Sequence, residues 1–433
     1  MTVTLGFDVG TTRTKALIYD TSTAQTLACV SGRTPVTLTA IGDRRDADEV
    51  WALLGWLCTE LRESGAPLTR VSSISLVALG EEIVFLNERG LPTGPVACWY
   101  IEQPAELDTE ADQPAFRLAS WYAIRNASRQ QDLAFNAAHT FTDLGSSLLL
   151  RMVGAAPPFM DRSHASRTGL LDNETGEWSK ERLLSCGAKK LLPPHLVDSG
   201  TQVGVICAEA ARHLSLNSGV PVGAGAHDHI AAALAAGVSR SGDMFVSVGT
   251  SESRLMLLDH EWAELTRLEQ PGWEIGYFAD GRHRYLHNSA LSGKRVSELV
   301  ADDVDKREIS AVYDALTSLC EDNNNNTFSK LRSGQGVTAD VTVSALYVEL
   351  DHQASESAAA IEQMSEMAGE LTQRIVVVGV PTQHDAWVQI RSERSKRPLE
   401  VIRVEEPAAI GAALLAAQAI SDVRVPRNEK CNE

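Results

Sequence analysis

The sequence predicts an α/β protein of two domains that share one topology and face each other across a central cleft. Three observations predict it: a length of 433 residues, a segment that recurs about one domain length along the chain, and strand periods that alternate with helical ones. Single hydrophobic cores stop growing near roughly 250–300 residues, so a chain of this length divides into domains. The gap between two domains is where a ligand site is expected. The recurring segment is Leu5 to Asp20, LGFDVGTTRTKALIYD, set against Met244 to Asp259, MFVSVGTSESRLMLLD. Each reads as an apolar strand, V-G-T followed by Thr or Ser, a basic residue (Lys15, Arg254), a second apolar strand and a final Asp. Four of the sixteen paired positions are identical (Val9/Val248, Gly10/Gly249, Thr11/Thr250, Asp20/Asp259), and the copies lie 239 residues apart. Each domain therefore opens with a β-hairpin whose turn carries Gly-Thr. The domains are placed at 1–240 and 241–422, with 423–433 as a tail.

After the first hairpin, apolar residues at helical spacing predict a helix over 47–64. A buried strand follows over 71–78, then a second over 83–87 that ends at the turn Glu88-Arg89-Gly90. Pro92, Pro95, Pro104 and Pro114 punctuate a loop-rich stretch, and helical periods run from about 116 to 153. The string VPVGAGAHDHIAAALAAGV reads as strand, glycine turn and an Ala-rich helix that begins near Asp228. In the second half, Asn323 to Asn326 predicts an exposed loop, 353–371 a helix and 374–379 a buried strand. A last Ala-rich helix spans 407–420 with Pro in its first turn. The tail reads as disordered.

Hydrophobic residues at 44% and charged residues at 22% fit a soluble globular protein with a large core. The 39 basic and 57 acidic side chains give a net charge of −18, which repels nucleic acid and anionic membrane. Any phosphate site must be local. Seven scattered cysteines with no CxxC pair fit reduced thiols in a cytoplasmic protein. The N-terminus lacks a basic n-region and long apolar stretch, so no leader is expected.

Asp8 ahead of Gly10, Thr11 and Thr12 puts a carboxylate at a strand end beside a run of turn amides that can cradle phosphate. Lys15 adds a cation, and Asp8 can hold Mg²⁺ directly or through water. An ordinary hairpin turn is the structural alternative. The second turn, Gly249-Thr250-Ser251, has the same donors but Ser247 in place of Asp8. One copy with a metal-holding carboxylate and one without suits a single Mg²⁺-nucleotide between two phosphate-gripping hairpins. Asp228 follows Gly223, Gly225 and Ala226, small residues that admit a substrate close to the backbone. A carboxylate there can accept a hydroxyl proton or simply cap the helix. His227 and His229 invite a metal reading, yet no further ligand has the spacing for one. His164, His283 and His287 are isolated and read as surface or internally satisfied histidines. There is no GxxxxGK[ST] loop and no GxGxxG fingerprint.

The ordered blocks GFDVGTTRTKALIYD, GEEIVFLNERGLPTGPVACW, MDRSHASRTGLLDNETGEWS, GVPVGAGAHDHIAAALAAG, FVSVGTSES and PAAIGAALLAA resemble the FGGY carbohydrate kinases, with the glycerol, xylulose and fuculose kinases among them. The resemblance implies two duplicated actin-like, ribonuclease H-like domains with ATP and sugar meeting in the cleft. It implies Asp8 as the Mg²⁺-linked aspartate, Gly10, Thr11, Thr12 and Lys15 as the first phosphate motif, and Gly249 and Thr250 as the second. Asp228 falls on the catalytic base, and His229 where members contact sugar. Glu81, Glu82 and Trp99 are implied substrate residues, since carboxylates accept sugar hydroxyls and Trp stacks on a sugar face. The adenine pattern is reduced to Gly379-Val380-Pro381-Thr382-Gln383-His384, with Gly379 and His384 retained and Val380 where a glycine lets the purine lie on the backbone. A Gly- and Pro-rich block expected between 285 and 345 is missing. After Trp99 the usual D-x-R is replaced by Tyr100-Ile101-Glu102-Gln103.

The expected activity is ATP- and Mg²⁺-dependent phosphorylation of a small sugar or polyol, with no nucleic acid or membrane partner; a homodimer stays open. The other reading is a catalytically weak sugar-binding sensor or partner subunit descended from such kinases, which the altered adenine pattern favours. An actin-like ATPase is a third reading, without a sugar requirement.

Overall fold

The computed structural model describes residues 2–40, 42–101, 119–154, 156–172, 175–249, 251–259, 261–268, 272–290, 292–301, 308–321 and 341–421. The asparagine run 323–326, Glu102, Gln103, Thr250 and the tail 423–433 lie outside these.

Two six-stranded sheets repeat one pattern. The first contains β1 (Val3–Val9), β2 (Arg13–Asp20), β3 (Gln25–Arg33), β4 (Val71–Ala78), β5 (Gln202–Val205) and β6 (Pro221–Gly223), in the order β3-β2-β1-β4-β6-β5. The second contains β7 (Asp243–Val248), β8 (Glu252–Leu258), β9 (Glu274–Tyr277), β10 (Arg284–Ala290), β11 (Arg374–Val378) and β12 (Leu399–Val401), in the order β9-β10-β8-β7-β11-β12. In each, an opening hairpin pairs antiparallel and a third strand adds to its far edge. Two further strands then add in parallel on the other side (β4 on β1 and β6 on β4, β11 on β7 and β12 on β11). The central strands β1, β4, β7 and β11 are almost wholly buried apolar runs, as sheets covered on both faces require.

The register of the two hairpins differs by one residue. Val9 pairs with Thr14 and Asp8 with Lys15, whereas Val248 pairs with Glu252 and Ser247 with Ser253. The second turn is one residue shorter, and a one-residue slip turns every side chain to the other face. Arg254 is therefore not the counterpart of Lys15; it is buried beside Glu252, Nε to Oε1 3.2 Å. Ser253 takes the position opposite Ser247.

Helix α1 (Ala47–Glu63) is capped by Asp46, whose side chain accepts from Asp48 N. The expected helical stretch over 116–153 is interrupted. Helices at Ala119–Arg129 and Leu133–Ala137 precede a strand, Thr140–Asp143, that pairs antiparallel with Ile83–Leu86; helix α2 (Leu144–Val153) follows. A helical average hides a four-residue strand whose side chains are all buried. Asp143 both ends that strand and caps α2, accepting from Ser146 N at 2.8 Å. The helix expected at 353–371 is α4 (Val341–Ala368), after α3 (Asp228–Ala235). Its β-branched start weakens the local signal, and burial of Val343, Leu346 and Leu350 overrides it.

Two helices lie between the sheets, α3 and, after α5 (Asp385–Arg394), α6 (Pro407–Gln418). Ile230 and Ala231 of α3 are buried with Phe245, Leu255 and Val376 of the second sheet. α6 packs instead on β1, β2, β4 and β6 of the first. α3, which precedes the second sheet in the chain, packs on that sheet, and α6, which follows it, packs on the first, so the two halves of the chain exchange helices. The helices cross at Gly411, where a Cβ would stand 2.2 Å from Ala231 O. Only glycine permits that approach.

Candidate active site

The carboxyl ends of parallel strands bring the predicted residues together, as in open α/β sheets generally. Asp8 is the penultimate residue of β1. Ala78 ends β4, its N–H donates to Ala226 O at 3.3 Å, and Leu79 N donates to Val9 O at 2.9 Å. The chain therefore leaves β6 alongside β4, the neighbour of the Asp8 strand, and delivers Asp228 to the same edge.

Asp8 is 4% exposed. Lys15 Nζ stands 3.2 Å from Asp8 Oδ2 and 2.5 Å from Glu406 Oε2. Burial pushes the Asp8 carboxyl up to about 6; Lys15 opposes this, and the nearby Asp228 adds to it. Two carboxylates, Asp8 and Glu406, thus share one ammonium, with the charge of Asp228 near enough to act on Asp8. Asp8 and Glu406 offer the hard oxygen ligands that a divalent cation such as Mg²⁺ takes directly or through water. Glu406 was missed in the sequence because it arrives 391 positions after Lys15. Its one local signal is the Pro after it, which marks a helix start; the residue is left-handed, φ 57°, at the N-cap of α6.

In the first turn, Gly10 N donates to Arg13 O at 3.1 Å, so this amide closes the turn and does not face a ligand. The amides of Thr11 and Thr12 have no partner among the described residues. Trp99, 43% exposed, donates from Nε1 to Thr11 Oγ1 at 3.0 Å. A predicted sugar residue and a predicted phosphate residue are thereby in contact.

Asp228 is the first residue of α3, and His227 is its N-cap. Asp228 Oδ1 accepts from its neighbour's amide, His229 N, at 2.7 Å and lies 2.9 Å from His227 Nδ1. His229 N is also 3.2 Å from His227 Nδ1, but one nitrogen cannot donate to the carboxylate and accept from the amide. The shorter, charge-assisted contacts to Asp228 put the ring proton on Nδ1. Burial works against ionisation of Asp228, yet His229 and His227 outweigh it and hold the carboxyl below the ordinary range. Asp228 Oδ2 carries no hydrogen bond among the described residues. One oxygen is anchored and the other is open.

Glu81 and Glu82 part company. Glu81 sits in the left-handed region, φ 64°, a strained conformation that needs surrounding support. Arg167 Nε donates to its Oε1 at 2.7 Å. Glu82 is 1% exposed and takes a forked pair from the equally buried Arg45, 2.7 and 3.3 Å. It also accepts from Trp99 N. Glu82 therefore faces inward and fixes the loop that carries Trp99, contrary to a direct sugar contact.

On the second side, Gly249 N donates to Ser251 O at 2.8 Å, matching the closure at Gly10. Gly379 follows β11 at φ 126°, and a Cβ on it would stand 2.0 Å from Val248 O, so it lies against the base of the second turn. Val380 is 70% exposed at the start of a short 3₁₀ turn, Val380–Gln383. His384 stacks on Tyr313, ring centroids 4.4 Å apart, with Nδ1 3.5 Å from Asp314 Oδ1.

The three histidines read as isolated are all buried and partnered. His164 faces acceptors on both ring nitrogens: Nδ1 is 2.5 Å from Asp161 Oδ2, and Nε2 is 3.2 Å from Ala78 O. Both must carry protons, so the ring is an imidazolium. Asp143, Asp161 and His164 converge, but a doubly protonated ring offers no lone pair to a metal. This cation compensates two carboxylates that also cap helices, Asp161 through its other oxygen and Asp143 through the oxygen nearest the ring. His164 also supports the Asp228 loop, since Ser163 Oγ beside it accepts from His227 N at 2.9 Å.

Among the described residues no helix is long and apolar enough to cross a membrane. The chain matches the family model for the N-terminal domain of the FGGY family of carbohydrate kinases over residues 3–235, and that for the C-terminal domain over 321–420. It is 26% identical to a xylulose kinase from Streptomyces rubiginosus over 438 residues, covering 95% of this chain and 87% of the relative. It is 22% identical to an L-fuculokinase from Salmonella typhi over 462 residues, covering 99% and 94%. Its fold is similar to the crystal structure of xylulose kinase from Rhodospirillum rubrum, with TM-score 0.81, 20% identity and coverage of 98% and 92%. It is also similar to Plasmodium falciparum glycerol kinase with ADP, with TM-score 0.78, 17% identity and coverage of 97% and 90%. The duplicated sheets are those of the actin-like two-domain fold, and the chain belongs to the FGGY family of carbohydrate kinases, ATP-dependent phosphotransferases.

Proposed function

We propose that this chain moves the γ-phosphoryl group of ATP to a hydroxyl of a small ketose or polyol, with Asp228 as the base. The observation that carries this is the state of Asp228: a site carboxylate with Oδ1 anchored by His229 N and His227, and Oδ2 open. The open oxygen receives the acceptor hydroxyl and takes its proton as the oxygen bonds to phosphorus and the bond to ADP breaks. A carboxyl held below its ordinary range is a weak base. That suffices, because phosphoryl transfer asks mainly for positioning and charge neutralisation, and the proton leaves late. Glu81, Trp99 and His229 orient the acceptor. The unpartnered amides of Thr11 and Thr12, the Thr12 hydroxyl, the Gly249-Thr250 turn and Lys15 hold phosphate, with Gly379 and His384 on the nucleotide side. Mg²⁺ held at Asp8, with Glu406 beside it, supplies neutralisation of phosphate charge when bound.

The acceptor is drawn from the substrates that relatives are named for, with xylulose and L-fuculose first. The test is ADP release with xylulose, L-fuculose, glycerol and gluconate, with and without Mg²⁺. Acceptor- and Mg²⁺-dependent release is expected. ADP release that ignores every acceptor points to an ATPase. Sugar binding without turnover points to the sensor reading, for which the exposed Val380 at the purine position is the supporting observation.

A further inference from the structure

A chain of hydrogen bonds runs from the second hairpin to the acceptor side of the site. Ser253, on β8 just past the Gly249–Ser251 turn, lies 2.8 Å through Oγ from His287 Nε2. His287 Nδ1, on β10, lies 3.0 Å from Glu274 Oε2 on β9. The same Glu274 oxygen is 2.5 Å from Arg167 Nη1, and Arg167 Nε is 2.7 Å from Glu81 Oε1. Burial keeps His287 neutral, so its single ring proton goes to Glu274 and Nε2 accepts from Ser253. Ser253 and His287 then donate toward Glu274, Arg167 donates to Glu274 from one edge and to Glu81 from another, and each link is satisfied. Ser253 and His287 are 3% and 6% exposed. The sequence of groups resembles a hydrolytic triad, but a hydroxyl this deeply buried meets no substrate.

Arg167 belongs to the first domain and Glu274 to the second. The guanidinium is one of the groups that both domains share. Glu81, whose left-handed backbone needs outside support, has Arg167 as its charged partner. We propose that Arg167 is a positioning residue for the acceptor: it orients Glu81 only while Glu274 of the docked second domain holds its other edge, so acceptor affinity is set partly from the nucleotide-side domain. The proposal rests on the kinase reading above for Glu81 as an acceptor contact. It assigns to Glu274, which touches no acceptor, a role in acceptor binding. A guanidinium suits this task because its rigid fork holds two carboxylates at fixed angles; a lysine ammonium does not fix that angle.

Four variants test it: Arg167→Met, Glu274→Gln, Glu81→Gln and the double Glu81→Gln/Glu274→Gln. KM for acceptor and for ATP is measured with whichever of xylulose, L-fuculose, glycerol or gluconate wild type turns over fastest, and calorimetric binding of the same sugars runs in parallel. Arg167→Met is expected to raise acceptor KM about tenfold or more and Glu274→Gln several-fold, as for loss of a charged hydrogen bond. ATP KM should stay within about twofold. The double variant should be no worse than Glu81→Gln alone, because both remove one relay. Additive effects, an unchanged acceptor KM in Glu274→Gln, or an equal rise in ATP KM would overturn the proposal. Should Arg167→Met fail to fold, the Glu81 and Glu274 cycle decides alone. Wild type inactive on all four acceptors would count against the kinase reading, and the binding arm would still measure the relay by the same ratios.

Discussion

Asp8 and Lys15 face each other across the first hairpin, Nζ 3.2 Å from Oδ2, and the same register position in the second hairpin is held by Ser247 and Ser253. The two hairpins share their opening but not this charged pair. If the first hairpin alone carries the cation, Asp8→Asn raises the Mg²⁺ concentration for half-maximal turnover about tenfold or more. Ser247→Ala leaves it within about twofold. Mg²⁺ titrations of the two variants check this.

The Arg45–Glu82 pair is a buried structural brace. Arg45→Met strands a carboxylate in the core and is expected to cost about 3–5 kcal/mol. The double Arg45→Met/Glu82→Leu should recover much of that loss. Denaturant unfolding of both variants reads the difference.

His164 sets a pH dependence of stability. Burial alone would lower its pKa, but Asp143 and Asp161 outweigh burial and raise it to about 10. A raised folded value means the contribution is complete below the ordinary 6.5 and disappears as pH rises through about 10. The gap in thermal midpoint between wild type and His164→Gln should be widest below pH 6.5 and close toward pH 10. Thermal melts across that range measure it.

Val380 is exposed beside a glycine that lies against Val248, on the side proposed for the nucleotide. Val380→Gly is expected to lower ATP KM several-fold by opening the backbone to the purine, with acceptor KM unchanged. Steady-state kinetics with each substrate varied in turn separate the two.

Much of this was legible in the residues. The strand at 71–78, the helix beginning at Asp228 and the turns opened by Gly10 and Gly249 are local signals of period and turn chemistry, and they fall where those signals put them. The equation of Arg254 with Lys15 failed because a turn shorter by one residue reverses the facing, which aligned letters do not reveal. Glu82 and Glu81 are adjacent in sequence yet point to different partners, and only the buried Arg45 distinguishes them. Glu406, Arg167 and Glu274 enter the site through tertiary packing, so no spacing rule links them to Asp8 or Asp228. The strand at Thr140–Asp143 was lost inside a longer helical average.

The open Oδ2 of Asp228 is the point on which the catalytic account turns. Asp228→Asn keeps the size and the anchored contact but cannot take a proton. Turnover of the preferred acceptor should fall by about 10²–10⁴-fold, while calorimetric binding of that acceptor stays within about threefold. Turnover within tenfold of wild type would contradict the assignment of this carboxylate as the base.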